Sequence, residues 1–92
     1  MKYFSWNAGK NEKLQAERGV SFEQVVLAVA EGGLLDILEH PNKEKYPEQM
    51  LLVVRLGDYA HLVPFVETRD EIFLKTIIPS RKATRIYIEG GD

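Results

Sequence analysis

The order of elements predicts an α+β domain, with two N-terminal helices packed on one face of an antiparallel sheet of about four or five strands and a short C-terminal helix. Three observations carry this. Ser21-Phe22-Glu23-Gln24 matches a capping box, the signature of a helix start. Gly19 and Gly32-Gly33 stand where the first and second helices should stop. Gly57-Asp58 separates two apolar runs as a tight hairpin turn.

Lys2 to Trp6 is short and aromatic and suits a first strand, and Asn7 can cap the helix Ala8 to Arg18. Leu14 is the only large apolar residue of that helix, so it should lie on the surface with a narrow contact stripe. In the second helix Phe22, Val25, Val26, Val29 and Ala30 repeat at helical spacing, and Val20 and Val25 form a hydrophobic staple across the cap. Leu34 to Leu38 reads as a strand, followed by a polar loop from Glu39 to Glu48. Met50 to Leu56, broken only by Arg55, suits a central strand. Tyr59 to Val66 follows the hairpin turn, and Pro64 within it predicts an edge or a bulge. Ile72 to Ile78 completes the meander, with Pro79 ending the ladder and Ser80 capping the last helix. The tail Glu89 to Asp92 should fray.

Ninety-two residues, 45% of them apolar, describe a single domain spanning 1–92. Cysteine is absent, which excludes disulfides, thiolate chemistry and cysteine zinc sites. With His40 and His61 the only histidines, no metal is expected, and no cofactor motif is present. No apolar run approaches the roughly 20 residues of a membrane span, and the first residues lack a signal-peptide pattern, so a cytoplasmic location is the expectation. The net charge of −2 hides an asymmetry. Between Arg69 and Arg85 five bases oppose Asp70 and Glu71, whereas Glu17 to Glu48 holds seven acids against three bases. A chain with this balance would not coat nucleic acid indiscriminately, but it could engage a phosphate backbone at one site.

The basic start of the last helix is the sharpest local signal. Arg81 and Lys82 oppose the helix dipole, which favours acids at an N-terminus. Either they hold an anion, or they form a solvated basic turn. Phosphate loops, His-Glu-x-x-His, Gly-x-Ser-x-Gly and magnesium-spaced acids are all missing. Metal-independent cleavage of RNA fits that restriction, because the substrate brings its own 2′-hydroxyl nucleophile and needs only orientation, proton transfer and cations. Lys75, which alternation places with Phe73 and Ile77, joins Arg81 and Lys82 as a phosphate-binding set. His61 and Tyr59, on one strand face, are candidates for proton transfer or packing.

Three segments together resemble a family. Phe4-Ser5-Trp6-Asn7 with Lys10 and Asn11 is similar to Phe-x-Trp-Asp/Asn followed by Lys and Asn. Gly19-Val20-Ser21-Phe22 is similar to His-Gly-Val-Ser-Phe, and Ile77-Ile78-Pro79-Ser80-Arg81-Lys82-Ala83-Thr84 with Tyr87 to Ile-Ser-Ala-Arg-Lys-Ala followed by Tyr. Their order and spacing resemble the BrnT-like toxins of bacterial type II toxin–antitoxin modules, small proteins with a RelE-like fold. The resemblance implies a metal-independent endoribonuclease that cleaves mRNA, suppresses translation and is neutralised by a ribbon-helix-helix antitoxin. It implies that Arg81 and Lys82 belong to the functional face. On the reading of the residues themselves, Arg81, Lys82, Lys75, His61 and Tyr59 are the expected catalytic set, and Lys10, Arg18, Arg69 and Arg85 the expected RNA-binding cations. Two positions depart from the pattern. The family's histidine before the glycine is Arg18 here, and its arginine at the start of the third strand aligns near Gln49 or Met50. The alternative from another class is a non-catalytic interaction module whose basic patch receives an acidic protein partner; a third is a toxin that occupies a ribosomal site without cutting.

Overall fold

The computed structural model describes residues 2–90. The chain runs β1 (Tyr3–Trp6), α1 (Ala8–Arg18), α2 (Phe22–Ala30), β2 (Leu34–Glu39), β3 (Gln49–Leu56), β4 (Tyr59–Glu67), β5 (Glu71–Leu74), β6 (Ile78–Pro79) and α3 (Arg81–Tyr87). It is an α+β fold, with two helices ahead of a six-stranded sheet ordered β1-β5-β4-β3-β2 and β6 paired to β4. Of the tail expected to fray, Glu89 is instead held, its N–H donating to the Thr84 carbonyl at 3.0 Å, and residues 91–92 lie outside the described residues.

The local chemistry of the helices is the chemistry of their sequence. Asn7 accepts the backbone N–H of Lys10, and Gly19 closes α1 at φ 69°. The capping box of α2 is complete: Ser21 Oγ accepts from Gln24 N, and Gln24 Oε1 accepts from Ser21 N. Asn11 ties the two helices together, its Oδ1 accepting from Phe22 N at 2.7 Å and its Nδ2 donating to Glu23 Oε1 at 2.7 Å. Gly33 is required by close approach, since a Cβ there would meet the Ala28 carbonyl at 3.0 Å and the Arg55 carbonyl at 3.3 Å.

Alternation along the strands builds a core on each face of the sheet. On one face Leu52, Val54, Val63, Phe65 and Leu74 meet Leu14 of α1 and Phe22 and Val25 of α2, with Trp6 stacked on Phe22 at 5.7 Å. On the other, Val53 and Ala60 meet Ala83 of α3, with Leu35, Leu38, Leu62 and Tyr87 around them. The short helix therefore packs on the face opposite α1 and α2.

Two features differ from the sequence reading. The sheet is not wholly antiparallel, because β1 pairs parallel to β5 at the edge. The helices carry the chain across to β2, and three reversals then return β5 in the direction of β1. Ile72–Ile78 is also not one strand: β5 ends at Leu74, and β6 begins at Ile78 and includes Pro79. Phe65 pairs with Leu74 but Leu62 with Ile78, so residues 75–77 stand opposite Val63 and Pro64 alone. That one-residue bulge reverses the alternation. Ile77 consequently turns into the core beneath α1 and α2, away from the face that Lys75 shares with Phe73.

The Asn11 clamp gives a direct test. Asn11→Ala should lower stability by about 1–3 kcal/mol in urea denaturation, because the buried Phe22 N–H loses its acceptor. Asn11→Asp should also destabilise, since it keeps that acceptor while setting a second carboxylate against Glu23.

Candidate functional site

The site is built around α3, and a hydroxyl fixes the position of that helix. Thr84, 3% exposed, accepts the Ala60 N–H with Oγ1 at 2.8 Å and donates the same hydroxyl to the Ser80 carbonyl at 2.8 Å. The Ser80 N–H extends the ladder to the Ala60 carbonyl, and Ser80 Oγ caps the helix by accepting from Ala83 N. At the far end Tyr87 donates its hydroxyl to Asp36 Oδ2 at 2.6 Å. A bulge between Leu34 and Asp36 turns the carboxylate toward α3. The Tyr87 bond, then the Ile37 N–H, holds the Asp36 carboxyl below its ordinary value, and the same bond raises the Tyr87 phenol. The segment Ser80 to Tyr87 is thus largely a docking device, and its remaining side chains point away from the sheet on two flanks.

On one flank Arg81, Arg85 and Glu89, spaced four residues apart, line a polar cleft of about 400 Å³ with Tyr59 and Thr84. Tyr59 is 37% exposed, and its ring stands edge-on to His61 at 5.8 Å. Thr84 has spent its hydroxyl on the backbone, so the groups free to meet a ligand are two guanidinium groups, a phenol and a carboxylate. Neither arginine has an ion-pair partner within 4.0 Å among the described residues.

Lys82 lies on the other flank. It borders an apolar groove of about 370 Å³ lined by Leu38, Leu51, Leu62, Ala83 and Ile86. Consecutive helical residues lie about 100° apart around the axis, so Arg81 and Lys82 diverge rather than converge on one anion. Ile86, and Ile78 just ahead of the helix, are both exposed.

The other residues singled out from sequence are elsewhere. Lys75 sits at the bulge with Nζ 5.4 Å from the centre of the Phe73 ring, an exposed cation–π contact away from the cleft. His61 is only 8% exposed and shares the inner face with Val63 and Phe65, so it supports Tyr59 from below rather than opening on the cleft. Arg18 donates from Nη1 to the Ile77 carbonyl at 3.1 Å and so holds the bulge, a structural task at the position where the resembled family has histidine. Lys10 lies in the first turn of α1, and Arg69 is in the turn after β4 beside Asp70. The nine residues of β4, at roughly 3.3 Å each, separate that turn from Tyr59. The fold thus brings together Tyr59, Arg81 and Arg85, sets His61 beneath Tyr59 outside the cleft, and leaves Lys82, Lys75, Lys10, Arg18 and Arg69 apart from them. Glu89 and Thr84 were missed from sequence: Thr84 is buried within α3, and Glu89 lies past the helix end, where helical spacing gives no signal.

No known family model matches this chain, and no curated protein or solved structure shows significant similarity to it. No group of three or more His, Asp or Glu side chains placed to hold a metal ion forms among the described residues. No helix among them is long and apolar enough to cross a membrane.

His61 makes the support beneath Tyr59 sensitive to pH. Burial holds its imidazole below the ordinary value of 6.5, offset in part by the bond between Nδ1 and the Tyr59 carbonyl. The unfolded chain therefore takes up a proton first as pH falls. Stability from this residue is complete above about pH 6.5 and is lost as pH falls through the lowered folded value. Glu23 and Asp36, both depressed, add losses only further into acid, below their ordinary values of 4.5 and 3.8. The melting temperature should fall as pH drops below about 6.5 toward the lowered folded value. His61→Gln should flatten that slope, whatever its effect on absolute stability.

Proposed function

We propose that this protein is the toxin of a bacterial type II toxin–antitoxin pair, a metal-independent endoribonuclease that acts in the cytoplasm and suppresses translation by cutting mRNA. The observation that carries the reading is the cleft in which Arg81, Arg85 and Tyr59 meet with no ion pair to either arginine among the described residues. Two guanidinium groups on successive helical turns suit the non-bridging oxygens of one phosphate and gain charge-assisted bonds as that phosphate becomes pentavalent. In the step itself the ribose 2′-oxygen forms a bond to phosphorus, the bond to the 5′-oxygen breaks, and a cyclic phosphate and a 5′-hydroxyl result. One proton leaves the 2′-hydroxyl and one reaches the 5′-oxygen; the Tyr59 phenol lies where it can take part in these transfers. The resemblance of three segments to the BrnT-like toxins supports the same reading from the sequence side.

A toxin of this kind needs a partner that silences it. A ribbon-helix-helix antitoxin suits the surface around α3, where exposed Ile78 and Ile86 and the apolar groove lie beside Arg81, Lys82 and Arg85. Burying the isoleucines would supply affinity, and opposite charge would speed the encounter.

Induced expression tests the reading. The wild type should arrest growth and generate new RNA ends. Arg81→Ala should remove both, through a loss of about 10²–10³ in rate, with the melting temperature nearly unchanged because a cation near a helix start adds no favourable dipole contact. An Arg81→Ala protein that stays fully toxic would remove this residue from the mechanism. Arrest without new RNA ends would instead favour the non-catalytic module. Expression with the adjacent reading frame should yield a complex, and recovery of free toxin alone at micromolar concentration would count against the partner.

A further inference from the structure

Glu89 is the one free side chain of the cleft that the cleavage step does not use. Glu89 is a carboxylate among two arginines and a phenol, at the end of the row Arg81–Arg85–Glu89. A site for phosphate alone gains nothing from an acid, which repels the anion. The acid makes sense if the cleft receives a ligand with an anionic end and an end that donates hydrogen bonds. A nucleotide has both, and the volume of about 400 Å³ lies within the range of small-ligand sites.

The bases differ in what they can offer a carboxylate, which only accepts. Guanine presents two adjacent donors, N1–H and the N2 amino group, matching the two carboxylate oxygens. Adenine and cytosine offer an amino group beside an acceptor nitrogen, and uracil one N–H between two carbonyls, so each sets an acceptor against the second oxygen. Tyr59 supplies a ring for an unstacked base. From this combination we infer that the Tyr59–Arg81–Arg85–Glu89 cleft is a guanine-nucleotide subsite, in which Glu89 reads the base, Tyr59 stacks on it, and both arginines hold the phosphate. The inference rests on the reading of the cleft as an RNA site and names the nucleotide it takes.

Titration of the full chain with GMP, AMP, CMP and UMP, followed by calorimetry and by backbone NMR shifts, tests it. GMP should bind at least about tenfold more tightly than the other three, with shifts at Tyr59 and along α3. Glu89→Gln should bring the four to within about twofold by weakening GMP alone, because the amide sets a donor against a donor. Arg85→Ala should weaken all four. Circular dichroism of each variant excludes unfolding as the cause, since both side chains are exposed. Equal binding of GMP and AMP, no binding at millimolar concentration, shifts confined to surfaces away from α3, or an unchanged preference in Glu89→Gln would each overturn the assignment. Comparing GTP with a single-stranded tetranucleotide containing one guanine separates the sources. Tighter binding of the oligonucleotide assigns the site to RNA; tighter binding of GTP overturns that part and leaves a free-nucleotide site. The cleavage reading fails separately: a GMP-selective protein that produces no RNA ends keeps this subsite and loses that activity.

Discussion

The rest of the architecture depends on a missing hydrogen-bond donor in the middle of the sheet. Pro64 lies in β4, between β3 and the strands that follow. Its carbonyl accepts the Lys75 N–H at 2.8 Å, so the absent N–H of the same residue faces that same neighbour. The ladder cannot return the reciprocal bond, and β5 leaves register there. The extra residue between Leu74 and Ile78 turns Ile77 inward, where α1 and α2 cover it and Arg18 holds its carbonyl. When pairing resumes at Leu62 and His61, the chain is placed so that Ser80 meets Ala60 and α3 starts on the opposite face. Without the slip, Ile77 would face the other way and the helix would start from a different register.

The same slip explains why so short a helix can present chemistry. Seven residues are too few to be stable alone, so α3 is held from outside. Thr84 is bonded to Ala60 and Ser80, Ala83 is small enough to lie against Val53 and Ala60, and Tyr87 reaches Asp36. With those positions committed to docking, the flanks are released from structural work. One flank carries the arginines, with Glu89 just past the helix end, and the other carries Lys82 and Ile86. The polar and apolar surfaces therefore lie on opposite flanks of one short element.

Much of the fold was readable because its signals are local. The capping box, the glycine at Gly19 and the hairpin at Gly57-Asp58 each state a conformation within a few residues, and each stands where its residues place it. The parallel edge was not legible, since nothing in Tyr3–Trp6 names a partner some 70 residues away. Pro64 announced an irregularity, but the disturbance fell on the neighbouring strand, because the bond lost at a proline is lost by its partner too. Misreading that strand carried through to the site. Alternation across an unbroken Ile72–Ile78 placed Lys75 with Ile77, and the bulge separates them. Arg81 and Lys82 adjoin in sequence, but a helix sends neighbours to different flanks. The partner of Arg81 in space is Arg85, four residues on.

Asn11 and Arg18 show how a motif can be structural where it looks functional. Both are polar residues of the kind that bind nucleic acid. Yet Asn11 is buried between two helices with its amide committed to Phe22 and Glu23, and Arg18 gives a hydrogen bond to the backbone of the bulge. A buried polar group must be satisfied, so such residues are constrained by the fold as tightly as a catalytic group is by its substrate. The distinction lies in what remains uncommitted after the hydrogen bonds are assigned. By that criterion the arginine pair and Tyr59 of the cleft are available to a ligand, whereas the hydroxyl of Thr84 beside them is not.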